Sequence, residues 1–157
     1  MASKLHNYII NLKWTGNLGE GTKKYTGYSR NHEIQAVGKP LISGSSDPSF
    51  RGDSSRYNPE DLFVSTLASC HMLWFLHLCS ANKITVVSYE DNPEGIMEEN
   101  EDGSGRFKKV TLFPIAVIKE ADKLELTKSL HHQAHLNCFI ANSVNFEVAC
   151  DPQINIE

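Results

Sequence analysis

Four cysteines hold most of the chemistry this sequence can offer: Cys70, Cys79, Cys138 and Cys150. Thiolates act as nucleophiles, redox centres and metal ligands, and they form where positive or hydrogen-bonding neighbours lower the thiol pKa. Cys70 lies in Leu67-Ala68-Ser69-Cys70-His71, in the middle of a helical stretch. A mid-helix position brings no dipole to bear, so either the fold supplies activating groups or Cys70 is an inert buried thiol. His71 stands about 100° away around the helix, which reads as a packed or surface histidine. Cys79 points about 180° from Cys70 and is assigned a structural role. Cys150 falls in the alternating run Phe146-Glu147-Val148-Ala149-Cys150 and is read in the same way, as a small apolar residue on one face of a strand. Cys138 follows a predicted helix end at Asn137, where a thiol is freer to move.

The segment from His131 to Cys138 raises metal chemistry. His131 and His135 share a helical face and Cys138 lies one turn beyond, a spacing that could take zinc. No second cluster with ligand spacing accompanies it in the sequence. The histidines, His132 among them, therefore read first as a packed or solvated face, and no metal ligand or cofactor is assigned.

Elements must position these thiols. Residues 6–14 and 25–37 read as a hairpin around the glycine-rich stretch 16–21. Residues 38–57 hold three Gly, two Pro and six Ser, the composition of a long loop. Asn58-Pro59-Glu60-Asp61 then opens a helix, with an N-cap side chain, proline at the first helical position and two acids where the helix dipole favours them. From residue 62 to residue 79 no side chain carries a formal charge, so this helix is expected to be buried on nearly every side. Residues 84–89 and 95–99 read as a hairpin around 91–94, residues 106–119 as one long strand, 124–137 as a second helix, and 145–156 as a closing strand interrupted at Pro152. Strands grouped around two separated helices predict one α+β domain spanning residues 1–157.

Composition bounds the function classes. The chain is 40% hydrophobic and 22% charged, with net charge −4, so it offers no basic field for a nucleic acid. The uncharged helix is as long as the shortest membrane spans, but Ser65, Thr66, Ser69, His71 and His77 interrupt it and no membrane association is assigned. The N-terminal segment lacks a charged and then apolar leader pattern, so a cytoplasmic location with reduced thiols is expected.

Three stretches combine into a specific pattern: Asn58-Pro59-Glu60 with Cys70 ten residues beyond the glutamate, the phrase Ala134-His135-Leu136-Asn137-Cys138-Phe139-Ile140-Ala141-Asn142-Ser143-Val144, and Tyr28-Ser29-Arg30-Asn31-His32 upstream. Together they resemble the OsmC/Ohr family of osmotically inducible and organic hydroperoxide resistance proteins, and within it the OsmC-like peroxiredoxin subgroup. The resemblance implies antiparallel sheets packed around a long central helix in an intertwined homodimer. It also implies an organic hydroperoxide reductase, an antioxidant stress-response enzyme in which Cys70 attacks the peroxide and Cys138 condenses with the resulting sulfenic acid to a disulfide. Glu60 matches the family's glutamate near the attacking sulfur. Arg30 is the first choice for the partner arginine, with Arg56 and Arg51 as alternatives. A guanidinium stabilises thiolate and leaving alkoxide, and a carboxylate fixes the guanidinium. Phe63, Leu67, Leu73 and Trp74 are the candidate apolar contacts, with Arg56, for an alkyl or lipid hydroperoxide. The reductant implied is a dithiol, a lipoylated protein or a thioredoxin.

Spacing adds that ten helical residues set Glu60 and Cys70 about 15 Å apart along an axis, so the helix breaks or two chains build each site. Two other readings remain open at this point: a hydrolase using Cys70 with a histidine base, and a non-catalytic module that binds metal or a small ligand.

Overall fold

The computed structural model describes residues 4–157. Backbone contacts divide the chain into two compact units, Met1–Leu62 and Phe63–Glu157. Among the described residues of the first unit, β1 (Asn11–Trp14), β2 (His32–Gln35) and β3 (Ile42–Gly44) form an antiparallel sheet in that order. Both expected hairpin strands are shortened, and Arg30 supplies a reason. Its guanidinium lies over the rings of Tyr25 and Tyr28 and donates to their carbonyls at 2.9 and 2.7 Å, which curls the chain before β2 begins.

The stretch 38–57 has more structure than its composition predicts, because it contains β3 and a 3-10 turn at Pro48–Phe50. Fully buried Ser45 ties it down: its amide donates to the Tyr57 carbonyl, its hydroxyl donates to Asn31 Oδ1, and that hydroxyl oxygen accepts from the Asp53 amide, each at 3.0 Å.

Helix α1 (Pro59–Ala81) starts where its cap predicts. Asn58 Oδ1 accepts from the Asp61 amide at 2.7 Å while Asp61 Oδ2 accepts from the Asn58 amide at 3.3 Å, a reciprocal capping pair. By length and composition α1 could cross a membrane. Within one chain, however, its buried residues are Leu67, His71, Phe75 and Cys79, a single stripe at four-residue intervals rather than burial on every side.

The second unit corrects the expected hairpin around 91–94. Strands β4 (Val86–Asp91) and β5 (Glu94–Glu99) follow each other but do not pair. Instead β5 pairs with β6 (Gly105–Leu112), and β4 pairs with β7 (Pro114–Ile118), both antiparallel. One long ribbon with its tip at 100–104 is thus folded where Pro93 and Pro114 interrupt it. Proline lacks the N–H that a continuous ladder needs. Asp91 Oδ1 accepts from the Phe113 amide at 2.8 Å at this fold. After α2 (Leu124–Asn137), strands β8 (Glu147–Cys150) and β9 (Gln153–Ile156) add in parallel to β6 and β7, separated at Pro152 as expected. The two sheets are therefore β4-β7-β9 and β5-β6-β8. The α1 stripe feeds two apolar clusters, one holding Phe75, Cys79, Ile118 and Leu130, the other holding Leu67, Val110 and Leu112. The architecture is α+β, with two helices and small sheets, as the sequence predicts.

Candidate active site

Cys70 and Cys138 meet inside the second unit. Cys70 is half-buried on α1, and Cys138 is 1% exposed where α2 ends, its amide bonding the His135 carbonyl at 3.2 Å. The two thiols lie close enough for Cys70 to act on the titration of Cys138. Burial pushes the Cys138 pKa up to about 11, and the contact with Cys70 adds to the shift. The Ala141 amide, donating to Cys138 Sγ at 3.4 Å, opposes it. Cys138 is therefore a protonated thiol at neutral pH.

Aromatic side chains flank the pair. Trp74, one turn beyond Cys70, meets Phe139, the neighbour of Cys138, edge to face at 5.8 Å between centroids. Leu73 is 63% exposed. Phe63 packs against Phe107 and Phe146 at 5.0 and 5.9 Å and lines an open cavity of about 440 Å³ with Arg106 and Ser143. Leu67 is a core side chain of the Val110 and Leu112 cluster.

The charged candidates belong to the first unit. Arg30 is held by Tyr25 and Tyr28 as described, an arrangement that fixes the guanidinium in place. Arg56 pairs with Asp53 at 3.4 Å on a partly exposed surface, and Arg51 is exposed with a left-handed φ of 65°. Glu60 is half-buried in the first turn of α1.

Comparison with known proteins fits this arrangement. The family model described as OsmC-like protein matches residues 52–152. The chain belongs to the OsmC-like family. A solved OsmC-like protein of unknown function from Vibrio cholerae is 34% identical over 94% of this chain and 99% of its own, with a TM-score of 0.85. An OsmC-like protein from Mycoplasma pneumoniae is 15% identical, covering 96% and 98% of the two chains with a TM-score of 0.73. An organic hydroperoxide resistance protein from Legionella pneumophila is 18% identical, covering 98% and 99%, with a TM-score of 0.66. At those lower identities the likeness is one of fold. No curated protein matches significantly.

This OsmC-like chain also holds a group that sequence reasoning missed. His71 and His131, 1% and 2% exposed, lie ring against ring, with His71 Nε2 and His131 Nδ1 3.0 Å apart. Cys150 Sγ stands 3.6 Å from His71 Nε2. Burial first, then a neighbouring imidazole, pushes the His71 pKa down to about 4 and that of His131 to about 3, so both rings are neutral at pH 7. Burial, with Asp91 and Asp151 adding to it, pushes Cys150 up to about 12. The alternative metal set of His131, His135 and Cys138, raised by spacing but not assigned, does not form this group, because α2 turns His131 toward His71 and Cys138 toward Cys70. The hydrolase reading weakens likewise, since the thiol that these histidines meet is Cys150.

Proposed function

We propose that this chain reduces organic hydroperoxides with Cys70 as the attacking thiolate and Cys138 as the resolving thiol. The observation that carries the reading is the contact between these two cysteines, brought together from α1 and the end of α2. Family membership supports it, as does the naming of structural neighbours as organic hydroperoxide resistance proteins. In the first step the Cys70 thiolate attacks the distal peroxide oxygen, the O–O bond breaks, and the alkoxide leaves and takes a proton as an alcohol. The sulfur has become a sulfenic acid. In the second step Cys138 gives its proton to solvent and attacks that sulfur as a thiolate, a disulfide forms, and the departing hydroxide takes a proton from solvent to leave as water. A dithiol, from a lipoylated protein or a thioredoxin, returns both thiols by exchange. Trp74, Leu73 and Phe139 supply apolar surface that favours an alkyl chain over hydrogen peroxide.

The chain acts as a homodimer in this reading. Leu73 and much of α1 are uncovered in one chain, and so are Ile10, Leu12 and Tyr57. Unbroken α1 removes the helix break that would let Glu60 reach its own Cys70, so Glu60 and Arg30 serve Cys70 of the partner subunit.

Intact mass after one equivalent of cumene hydroperoxide tests the chemistry. Wild type should lose two hydrogens, Cys138→Ser should hold a trappable sulfenic acid, and Cys70→Ser should not change. Unchanged mass in all three would refute the peroxidase.

A further inference from the structure

Among the described residues, the buried side-chain polar atoms without a hydrogen-bond partner are His71 Nδ1, His131 Nε2, Tyr89 Oη and Asp91 Oδ2. All four belong to one neighbourhood. His71 and His131 bond each other, Cys150 meets His71, and Phe75 stacks on His131 at 3.9 Å and contacts Tyr89 at 5.8 Å. Asp91 and Tyr89 lie close enough to Cys150 to act on it electrostatically.

These orphaned atoms mark a polar pocket within the core, around the two nitrogens that face each other, His71 Nε2 and His131 Nδ1. Leaving a buried donor or acceptor unmade costs about 1–3 kcal/mol each. In either tautomer of the imidazole pair, one ring donates to the other and a second ring N–H is left without an acceptor.

We propose that His71, His131 and Cys150 form a zinc site, distinct from the Cys70–Cys138 pair. The three donor atoms lie within 4.8 Å of one another. Tetrahedral zinc, with Zn–N of about 2.0–2.1 Å and Zn–S of about 2.3 Å, sets nitrogen donors about 3.3 Å apart and nitrogen and sulfur donors about 3.6 Å apart. The observed separations are 3.0 Å between the imidazoles and 3.6 Å from Cys150 to His71, while Cys150 and His131 lie within 4.8 Å, so modest side-chain adjustment brings the three donors to these values.

Two imidazoles and a thiolate are a borderline-soft set that selects zinc over calcium or magnesium. Binding releases the Cys150 proton to solvent and leaves one positive charge, which the Asp91 carboxylate offsets. A cavity of about 300 Å³, lined by His131, His132, His135, Lys128, Val148 and Cys150 among others, gives the ion an entry path and the fourth position a route to water.

The test uses the full-length protein stripped with a chelator, kept reduced with a phosphine, and carrying Cys70→Ser and Cys138→Ser so that the reactive pair cannot bind metal. Cobalt(II) is titrated as the optical stand-in. One equivalent per chain should produce tetrahedral d–d bands and a thiolate-to-cobalt charge-transfer band, and one equivalent of zinc should abolish both. Adding Cys150→Ser should remove the charge-transfer band and weaken zinc binding by at least about tenfold. If that variant does not fold, protection of Cys150 from N-ethylmaleimide by zinc in the parent replaces it. No tetrahedral spectrum, a charge-transfer band that survives Cys150→Ser, or no protection would each overturn the site. The peroxide mass experiment is independent of all three.

Discussion

Cys138 Sγ lies buried against Cys70 while accepting the Ala141 amide at 3.4 Å, so one sulfur is held by two opposing influences. Burial and the neighbouring thiol keep it protonated, with a pKa of about 11 in the reduced pair, and in the proposed mechanism burial still limits the thiolate available to close a disulfide. Below that value the thiolate fraction rises tenfold per pH unit. Closure after sulfenate formation should therefore accelerate by up to about tenfold per unit between pH 7 and 10. Competition between closure and a sulfenate trap, followed by rapid quench and mass spectrometry, measures this. A flat profile would mean that the Cys138 proton passes straight to the departing hydroxyl, and the thiolate account of the second step would fail.

The Asn58 and Asp61 capping pair anchors the start of α1, the helix that carries Cys70. Asn58→Ala should cost about 1 kcal/mol, within a range of about 0.5–2, and lower the melting temperature by about 2–4 °C. Asn58→Ser should recover most of the loss, because serine also caps. Calorimetry on the three proteins decides it, and an unchanged melting temperature in Asn58→Ala would show that packing alone fixes the helix start.

Local signals made much of this fold readable. The start of α1, the whole of α2 and the break at Pro152 carry their information within a few residues: a cap, a proline, a change of period. The hairpin at 91–94 misled because Asn92-Pro93 looks the same at a tight turn and at a fold in a longer ribbon, and only the partner strand with Pro114 distinguishes them. The choice of Cys70 and Cys138 as the proposed pair rests on the family pattern, since nothing in the local sequence around either one brings them together. The group of His71, His131 and Cys150 was not legible at all, since its members are 60 and 79 residues apart and each looks locally like ordinary packing.

Cys79 is fully buried beside Phe75 and Ile118, and burial pushes its pKa to about 12 from an ordinary 9.0. The folded state thus favours the protonated thiol more than the unfolded state does. The associated stability is fully present below pH 9 and is lost as pH rises from 9 toward 12. The slope is at most about 1.4 kcal/mol per pH unit for this group. Urea midpoints at pH 8, 9, 10 and 11 should fall more steeply in wild type than in Cys79→Ala, even though the variant starts lower because of the cavity it leaves. Parallel curves would assign the alkaline loss to other groups.

The proposed sharing of each site between two chains makes a quantitative demand on mixtures. Glu60→Gln and Cys70→Ser should each be nearly inactive as homodimers. Co-expressed, half of the dimers contain one chain of each kind. In such a dimer the Cys70 of the Glu60→Gln chain faces the intact Glu60 of the Cys70→Ser chain, which restores one of two sites. Activity toward cumene hydroperoxide should then reach about a quarter of wild type per chain. If Glu60 served the cysteine of its own chain, no combination would contain an intact site and the mixture would stay at the average of its parents. Separating the mixed dimer by two different affinity tags raises the expected value to about half, which puts the two outcomes far enough apart to measure.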